Sequence, residues 1–225
     1  MSENILSIPE FYNRTLIFRD REHAGKILAD LMKKDLDAEA VLLAIPAGGV
    51  PVAMEISAIS GIPMDLAVVS KITLPWNTEA GYGAVAFDGT VRLNEPMLAR
   101  MNLTERQIRE GIEKTTEKVR RRNRALRGDR PFPALSGQTA VLVDDGLASG
   151  FTMRCAIEAV QNAGARSIAV AVPTAHEKAL QAAAEPTDRI YCPNIRSRLP
   201  FAVADAYENW YDISEPELFE MLQRI

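Results

Sequence analysis

Val141-Leu142-Val143-Asp144-Asp145-Gly146-Leu147-Ala148-Ser149-Gly150-Phe151-Thr152 reads as an apolar strand running into two adjacent carboxylates, then a loop of small and hydroxylated residues, then a helix start. The strand, Thr139–Val143, is short and nearly all apolar, as expected of a parallel strand buried on both faces. Open α/β sheets bind ligands at the carboxyl ends of their strands, so the acid pair is expected in a crevice. Ionised carboxylates only accept hydrogen bonds, which suits a pair of them to the vicinal hydroxyls of a ribose. Gly146, Ala148 and Gly150 let the backbone approach closely, and successive N–H groups can then line an anion cradle. Ser149 and Thr152 add hydroxyl donors, and the following helix contributes roughly half a positive charge at its first turn. The plainer reading is a strand–turn–helix in which Asp144 or Asp145 caps the helix. A cap, however, needs one acid and no hydroxyl-glycine-hydroxyl run.

Outward from this stretch, strand and helix patterns alternate without a repeat or a low-complexity tract, which predicts a doubly wound parallel sheet. Helices are predicted over residues 20–36, 51–59 (stopped near Gly61), 104–126, 152–163 (ended by Gly164) and 177–184. Strands are predicted over 41–45, 66–70 and 168–172 and around Ile190. Residues 84–93 alternate about Asp88-Gly89, a hairpin signal. The tail closes with an aromatic-rich stretch, 201–211, and a helix opened by Ser214-Glu215-Pro216-Glu217.

Composition is that of an ordinary enzyme domain. With 225 residues, 47% hydrophobic and 25% charged, the chain can bury one sizeable α/β core and is not a disordered polymer. No apolar run approaches a bilayer span, and residues 1–14 lack a signal-like stretch, so a cytoplasmic location is expected and no membrane partner. Cys155 and Cys192 have no metal spacing and read as reduced, buried thiols. A net charge of −4 gives no bulk attraction to nucleic acid. With only His23 and His176, a histidine triad or zinc site has little support, and there is no Gly-x-x-x-x-Gly-Lys phosphate loop.

Three further segments can carry chemistry. Ala47-Gly48-Gly49 lies between a strand and a helix, where glycines free backbone N–H groups to face an anion or simply make a tight connection. Val68-Val69-Ser70-Lys71 ends the second core strand, and residues 73–83 (TLPWNTEAGYG) are polar and punctuated by Pro and Gly. Trp76 and Tyr82 could stack on a base or pin that segment. Lys118-Val119-Arg120-Arg121-Arg122-Asn123-Arg124 is the densest basic run, read as a solvated helix face or oligomer contact ahead of a nucleic-acid patch.

The 141–152 stretch closely resembles the phosphoribosyl-pyrophosphate (PRPP) motif of type I phosphoribosyltransferases: four apolar residues, two acids, a short variable run, then Thr/Ser-Gly-x-Thr. The resemblance extends over nearly the whole chain to a bacterial and archaeal subgroup of that family. It is carried by Asp20-Arg21-Glu22-His23-Ala24-Gly25, by the Ala47-Gly48-Gly49-Val50-Pro51 loop, by Val68-Val69-Ser70-Lys71, by Glu79 with Gly83-Ala84-Val85, and by the long helix. Where the subgroup has arginine, this chain has Ala47 and Ser70.

The resemblance implies one domain over 1–225 with a small hood from the N- and C-terminal segments and a flexible loop at 73–83. It implies transfer of ribose 5-phosphate from PRPP to a nitrogen nucleophile of nucleobase type, with release of pyrophosphate. Asp144 and Asp145 would hold the ribose and Mg²⁺, directly or through water. Gly146, Leu147, Ala148, Ser149, Gly150 and Thr152 would take the 5′-phosphate; Ala47, Gly48 and Gly49 would take pyrophosphate, with Lys71 as the cation at the departing charge. A homodimer is the family's default. The two absent arginines leave a second implication, a non-catalytic PRPP- or nucleotide-binding regulator. The 6-oxopurine branch carries an aspartate three residues after the acid pair, where this chain has Ala148.

Overall fold

The structure, a computed structural model, describes residues 3–35 and 39–224, and not the side chains of 78–80. After β1 (Ile5–Leu6), helix α1 (Arg21–Met32) is capped by Asp20, whose carboxylate accepts from the His23 amide at 2.8 Å. It ends short of the predicted limit, and Leu36 itself lies outside the described residues. Then come β2 (Ala40–Ala44), α2 (Gly49–Ser60) and β3 (Met64–Leu66). Gly61 closes α2 at φ +74°, a left-handed stop that glycine adopts without strain. An antiparallel sheet of β4 (Val69–Leu74), β5 (Asn77–Ala86) and β6 (Val91–Leu93) follows. After the short α3 (Glu95–Leu98), α4 (Glu105–Arg127) opens on a Thr104–Gln107 capping box.

The second half runs β7 (Thr139–Val143), α5 (Phe151–Asn162), β8 (Ser167–Ala171), β9 (Thr174–His176), α6 (Glu177–Ala184), β10 (Arg189–Tyr191) and β11 (Asn194–Arg196). It closes with α7 (Glu215–Leu222), entered through a Ser214–Glu217 capping box.

Six strands form one parallel sheet in the order β1-β10-β8-β7-β2-β3. From β2 the chain steps one way, to β3; from β7 it steps the other way, through β8 to β10. The switch point therefore lies between β2 and β7, which pair from Ala40↔Thr139 to Ala44↔Val143. In open α/β sheets the ligand crevice lies beyond the carboxyl ends of two such strands. Side chains alternate between faces. Leu42, Ala44, Val141 and Val143 pack with α1 and α2, while Val41, Leu43, Ala140 and Leu142 pack with α5 and α6. Cys155 and Cys192 are free and buried, and burial pushes the Cys155 thiol up to about 12.

One predicted strand divides in two. The run 66–70 ends the parallel sheet at Leu66, and after Ala67-Val68 the chain re-enters as β4, paired antiparallel with β5. Lys71 thus lies within β4 of the small sheet rather than at the end of a core strand. Residues 73–83 likewise form most of a β-hairpin about Pro75-Trp76 rather than an irregular loop. Tyr82, only 1% exposed, drives this: its ring packs where Gly111 of α4 leaves no side chain, and a Cβ at Gly111 would overlap the phenol oxygen. Tyr82 therefore pins the hairpin to α4, while Trp76 stands at its exposed tip.

The far end of α4 is fixed by an ion pair. Arg127 donates from Nε and Nη2 to the two carboxylate oxygens of Asp65 on β3, both at 2.7 Å, and from Nη2 to the Pro131 carbonyl at 2.9 Å. The guanidinium also faces the Phe132 ring at 5.1 Å. Burial pushes Asp65 up, but Arg127 and the Leu66 amide outweigh it and hold the carboxyl below its ordinary value. Arg127 is 3% exposed at its side chain, so removing its partner strands a buried charge, at a cost of about 3–5 kcal/mol. Asp65→Ala should lower the urea-unfolding free energy by that order at pH 7. Because the folded-state value is depressed, the contribution is full above about pH 4 and is lost as pH falls through the folded value. The gap between wild type and variant should narrow only in acid, and a pH-independent gap would contradict the pair.

Candidate functional site

Asp144 and Asp145 leave β7 at the switch point, and their two side chains part. The Asp145 carboxylate accepts from Arg21 Nε at 2.9 Å, and its backbone carbonyl accepts from the Tyr207 hydroxyl at 2.6 Å. Arg21 is held in turn. Its Nη1 donates to the Tyr211 carbonyl at 2.9 Å, and its guanidinium lies 4.0 Å from the centre of the Trp210 ring. Phe18 and Tyr207 pair in the adjoining backbone bridge, with ring centroids 5.5 Å apart. The N- and C-terminal segments thus converge on one acid.

Asp144 turns the other way. It faces a cavity of about 320 Å³ shared with Ile45 and Pro46 after β2, Ser70 and Lys71 on β4, and Thr152 on α5. Its Oδ1 also accepts from the Asp145 amide at 2.9 Å. Burial pushes Asp144 well above the usual carboxylate range, and the neighbouring Asp145 charge adds to this. Burial raises Asp145 too, against the opposing pull of Arg21. Arg21 bonds the Asp145 carboxylate directly, whereas Asp144 shares its cavity with Lys71, Lys118 and Arg122.

The glycine loop serves mainly to come close. A Cβ on Gly48 would overlap the Asp145 carboxylate, and one on Gly49 would overlap the Val143 carbonyl. The Gly49 amide is already bonded to the Ile45 carbonyl at 3.0 Å, so this amide turns inward. Ala47 is half-buried beside it, and the Pro46–Ala47 peptide is cis.

The 146–152 loop is anchored at one point and open at another. Leu147 is buried and bridges β9: its amide donates to the Thr174 carbonyl and its carbonyl accepts from the His176 amide, each at 2.9 Å. A Cβ at Gly146 would press on Val203 and Thr174. Ala148 and Ser149 are exposed, and Gly150 turns the chain at φ +69° into α5. At the first turn of α5 the Phe151 amide donates to the Ser149 hydroxyl at 3.4 Å, and Thr152 lines the Asp144 cavity.

Sequence reasoning assigned no role to Arg21, Tyr207 or Trp210, although Arg21 lay inside the quoted 20–25 string. It also set the basic run of α4 apart from the site. Two of its members, Lys118 and Arg122, line the same cavity as Asp144. Their spacing of four on a helix is the signal that was available. Among the described residues no group of three or more His, Cys, Asp or Glu side chains could hold a metal, and no helix is long and apolar enough to cross a membrane.

Comparison with known proteins places the chain in a family. The sequence profile of the phosphoribosyl transferase domain matches residues 17–204. A Mycobacterium tuberculosis protein, a phosphoribosyl transferase by name, is 32% identical over 208 residues, covering 92% of this chain and 47% of that protein. The chain thus spans about half the length of the curated relatives it matches. The crystal structure of TT1426 from Thermus thermophilus superposes with a TM-score of 0.74 at 30% identity, covering 93% of this chain and 99% of that one. AQ2163 from Aquifex aeolicus shares the fold at 13% identity, with a TM-score of 0.51 over 83% of this chain and 78% of that one.

Gly48→Ala should force the Asp145 carboxylate from its place, destabilising the protein by about 1–3 kcal/mol, the usual cost of overpacking. In an Asp145→Ala background, where the carboxylate is gone, the same change should cost little. A double-mutant cycle by urea unfolding reads the coupling, and additive costs would show that Gly48 does not press on Asp145.

Proposed function

The chain belongs to the phosphoribosyl transferase domain family, and on that premise we propose that it transfers the ribose 5-phosphate of PRPP to a nitrogen nucleophile of nucleobase type. The observation that carries this reading is the Asp144 cavity, where the ends of β2 and β7, strand β4 and the start of α5 meet. In the reaction, the bond from the anomeric carbon to pyrophosphate breaks and its electron pair departs with pyrophosphate. A nitrogen lone pair forms the new bond, and the nitrogen loses its proton.

Each part of the site has a task in that scheme. Asp144 and Asp145 accept from the ribose hydroxyls, and their field favours the positive charge that develops on the ring. Arg21 and Tyr207 keep Asp145 in place rather than touching the sugar. Gly146 to Gly150 and Thr152 hold the 5′-phosphate at the start of α5, which anchors one end of the sugar while its anomeric carbon moves. Lys71 reaches the departing charge from β4, and the hairpin beyond it excludes water that would hydrolyse PRPP.

The acid pair also fits Mg²⁺. Asp144 presents its carboxylate to the cavity, and an oxygen donor of that kind suits a hard cation that takes its remaining ligands from substrate oxygens and water. Asp144 and Asp145 would hold it, Asp145 beside its bond to Arg21 directly or through water, and its charge would offset that of the pyrophosphate. We read the convergence of residues 18–21 with 207–211 as the hood of a single domain.

Asp144→Asn with Asp145→Asn tests the core of the reading. Loss of two charge-assisted contacts, each about 1.5–3 kcal/mol, should weaken PRPP binding at least roughly a hundredfold in a calorimetric titration. Because Asp145→Asn also takes the carboxylate from the buried Arg21, urea unfolding of the double variant and the single Asp144→Asn variant, which keeps that ion pair, should accompany the titration. Wild-type affinity in the double variant would overturn the ribose assignment. Wild type that binds PRPP but turns over no acceptor would favour the regulatory alternative.

Ala148 bears on the acceptor. Its side chain can neither give nor take a proton, and a positioned acid or base typically supplies about a hundred- to ten-thousandfold in rate. Across hypoxanthine, guanine, xanthine, adenine, uracil and orotate under one set of conditions, hypoxanthine and guanine should therefore be poor acceptors. Ordinary enzyme efficiency with either would contradict the argument.

A further inference from the structure

The Asp144 cavity has a cationic wall made by a helix outside the PRPP stretch. Lys118 and Arg122 of α4 line it together with Lys71. They are one turn apart on a common face, about 6 Å along the axis. Lys71 apart, the other walls bring no positive charge: Pro46 lies on the loop, Ser70 on β4 and Thr152 on α5. The loop that follows β2, Pro46-Ala47-Gly48-Gly49, has no cation either.

Arg122 is held in a way that leaves it ready for an anion. Its side chain is 19% exposed, yet Nη1 reaches the Pro46 carbonyl only at 3.5 Å. Nε is buried with no hydrogen-bond partner among the described residues, and the Glu215 carboxylate, 68% exposed, lies 3.7 Å away. Arg127, further along the same helix, has short contacts to a carboxylate and a carbonyl instead. A guanidinium offers five donors, and a buried one with such loose contacts is under-satisfied. Burial also lowers Arg122 from its ordinary value, with Glu215 only partly opposing, the mark of a charge short of compensation.

We propose that Arg122 and Lys118 bind the diphosphate group of the substrate and of the released product, taking the place of cations that the loop after β2 does not provide. This rests on the phosphoribosyl transfer reading and extends it to residues of α4. A diphosphate carries more charge and more acceptor oxygens than a single phosphate, which suits three cations lining one cavity. Arg120 and Arg124, exposed and outside the cavity lining, take no part. The basic run is therefore divided by helical phase into a binding face and a solvated face.

Calorimetric titration with inorganic pyrophosphate and, separately, ribose 5-phosphate tests the assignment. Arg122→Gln and Lys118→Gln should each weaken pyrophosphate binding, Arg122→Gln by about ten- to hundredfold, the loss of a charge-assisted contact. Ribose 5-phosphate affinity should stay at the wild-type value in both, which also shows that the variants are folded. Arg120→Gln and Arg124→Gln should leave both ligands unaffected. Pyrophosphate affinity within twofold of wild type in Arg122→Gln and Lys118→Gln overturns the proposal, as does an equal loss in Arg120→Gln and Arg124→Gln. Absence of pyrophosphate binding by wild type overturns it too. If wild type binds pyrophosphate through Arg122 but neither PRPP nor ribose 5-phosphate, the transferase reading falls and the diphosphate site stands.

Discussion

Two neighbouring carboxylates withdrawn from water are the constraint around which this molecule is arranged. Neither can stay ionised at low energy without a cation, and together they repel. The fold meets half of that demand internally. Arg21, stacked on Trp210 and tied to the Tyr211 carbonyl, neutralises Asp145 from beneath. It leaves Asp144 facing a cavity that Lys71, Lys118 and Arg122 also line.

Helix α4 turns a local motif into a three-sided site. Its C-terminal end is locked to the sheet edge through Arg127 and Asp65, and its middle is locked to the hairpin through Gly111 and Tyr82. Between those two anchors the positions of Lys118 and Arg122 are set with little freedom. The helix thereby carries positive charge over the carboxyl ends of β2 and β7, a place that neither strand can reach with its own residues. Rigidity matters here because a cation poised by packing loses less entropy on binding than one recruited from a mobile chain.

Closeness is the second device. Gly48 and Gly49 bring the loop after β2 against Asp145 and the Val143 carbonyl, and Gly146 lets the next loop pass under Val203. These contacts explain why small residues cluster at the carboxyl ends of the two central strands. They serve approach as much as backbone freedom, since Gly49 spends its amide on Ile45 rather than on the crevice.

The central part of this fold was legible in the chain itself. An apolar run such as Thr139–Val143 fits a parallel strand buried on both faces, and the acid pair and the Ser149-Gly150-Phe151-Thr152 string follow it within nine residues, so local order sets their placement. Helix limits marked by Thr104, Ser214 and Gly61 were equally local, because capping involves residues three or four apart. Tertiary structure alone decided the rest. Val68-Val69-Ser70 reads the same in a core strand or a hairpin; only Tyr82 against Gly111 makes it the latter. Arg21 meets Asp145 across 124 positions of sequence, and Arg122 meets Pro46 across 76. Charge and periodicity describe what a residue can do within its own element. Which opposite element it faces depends on how helices and sheet pack, and that is where the cations of this site were chosen.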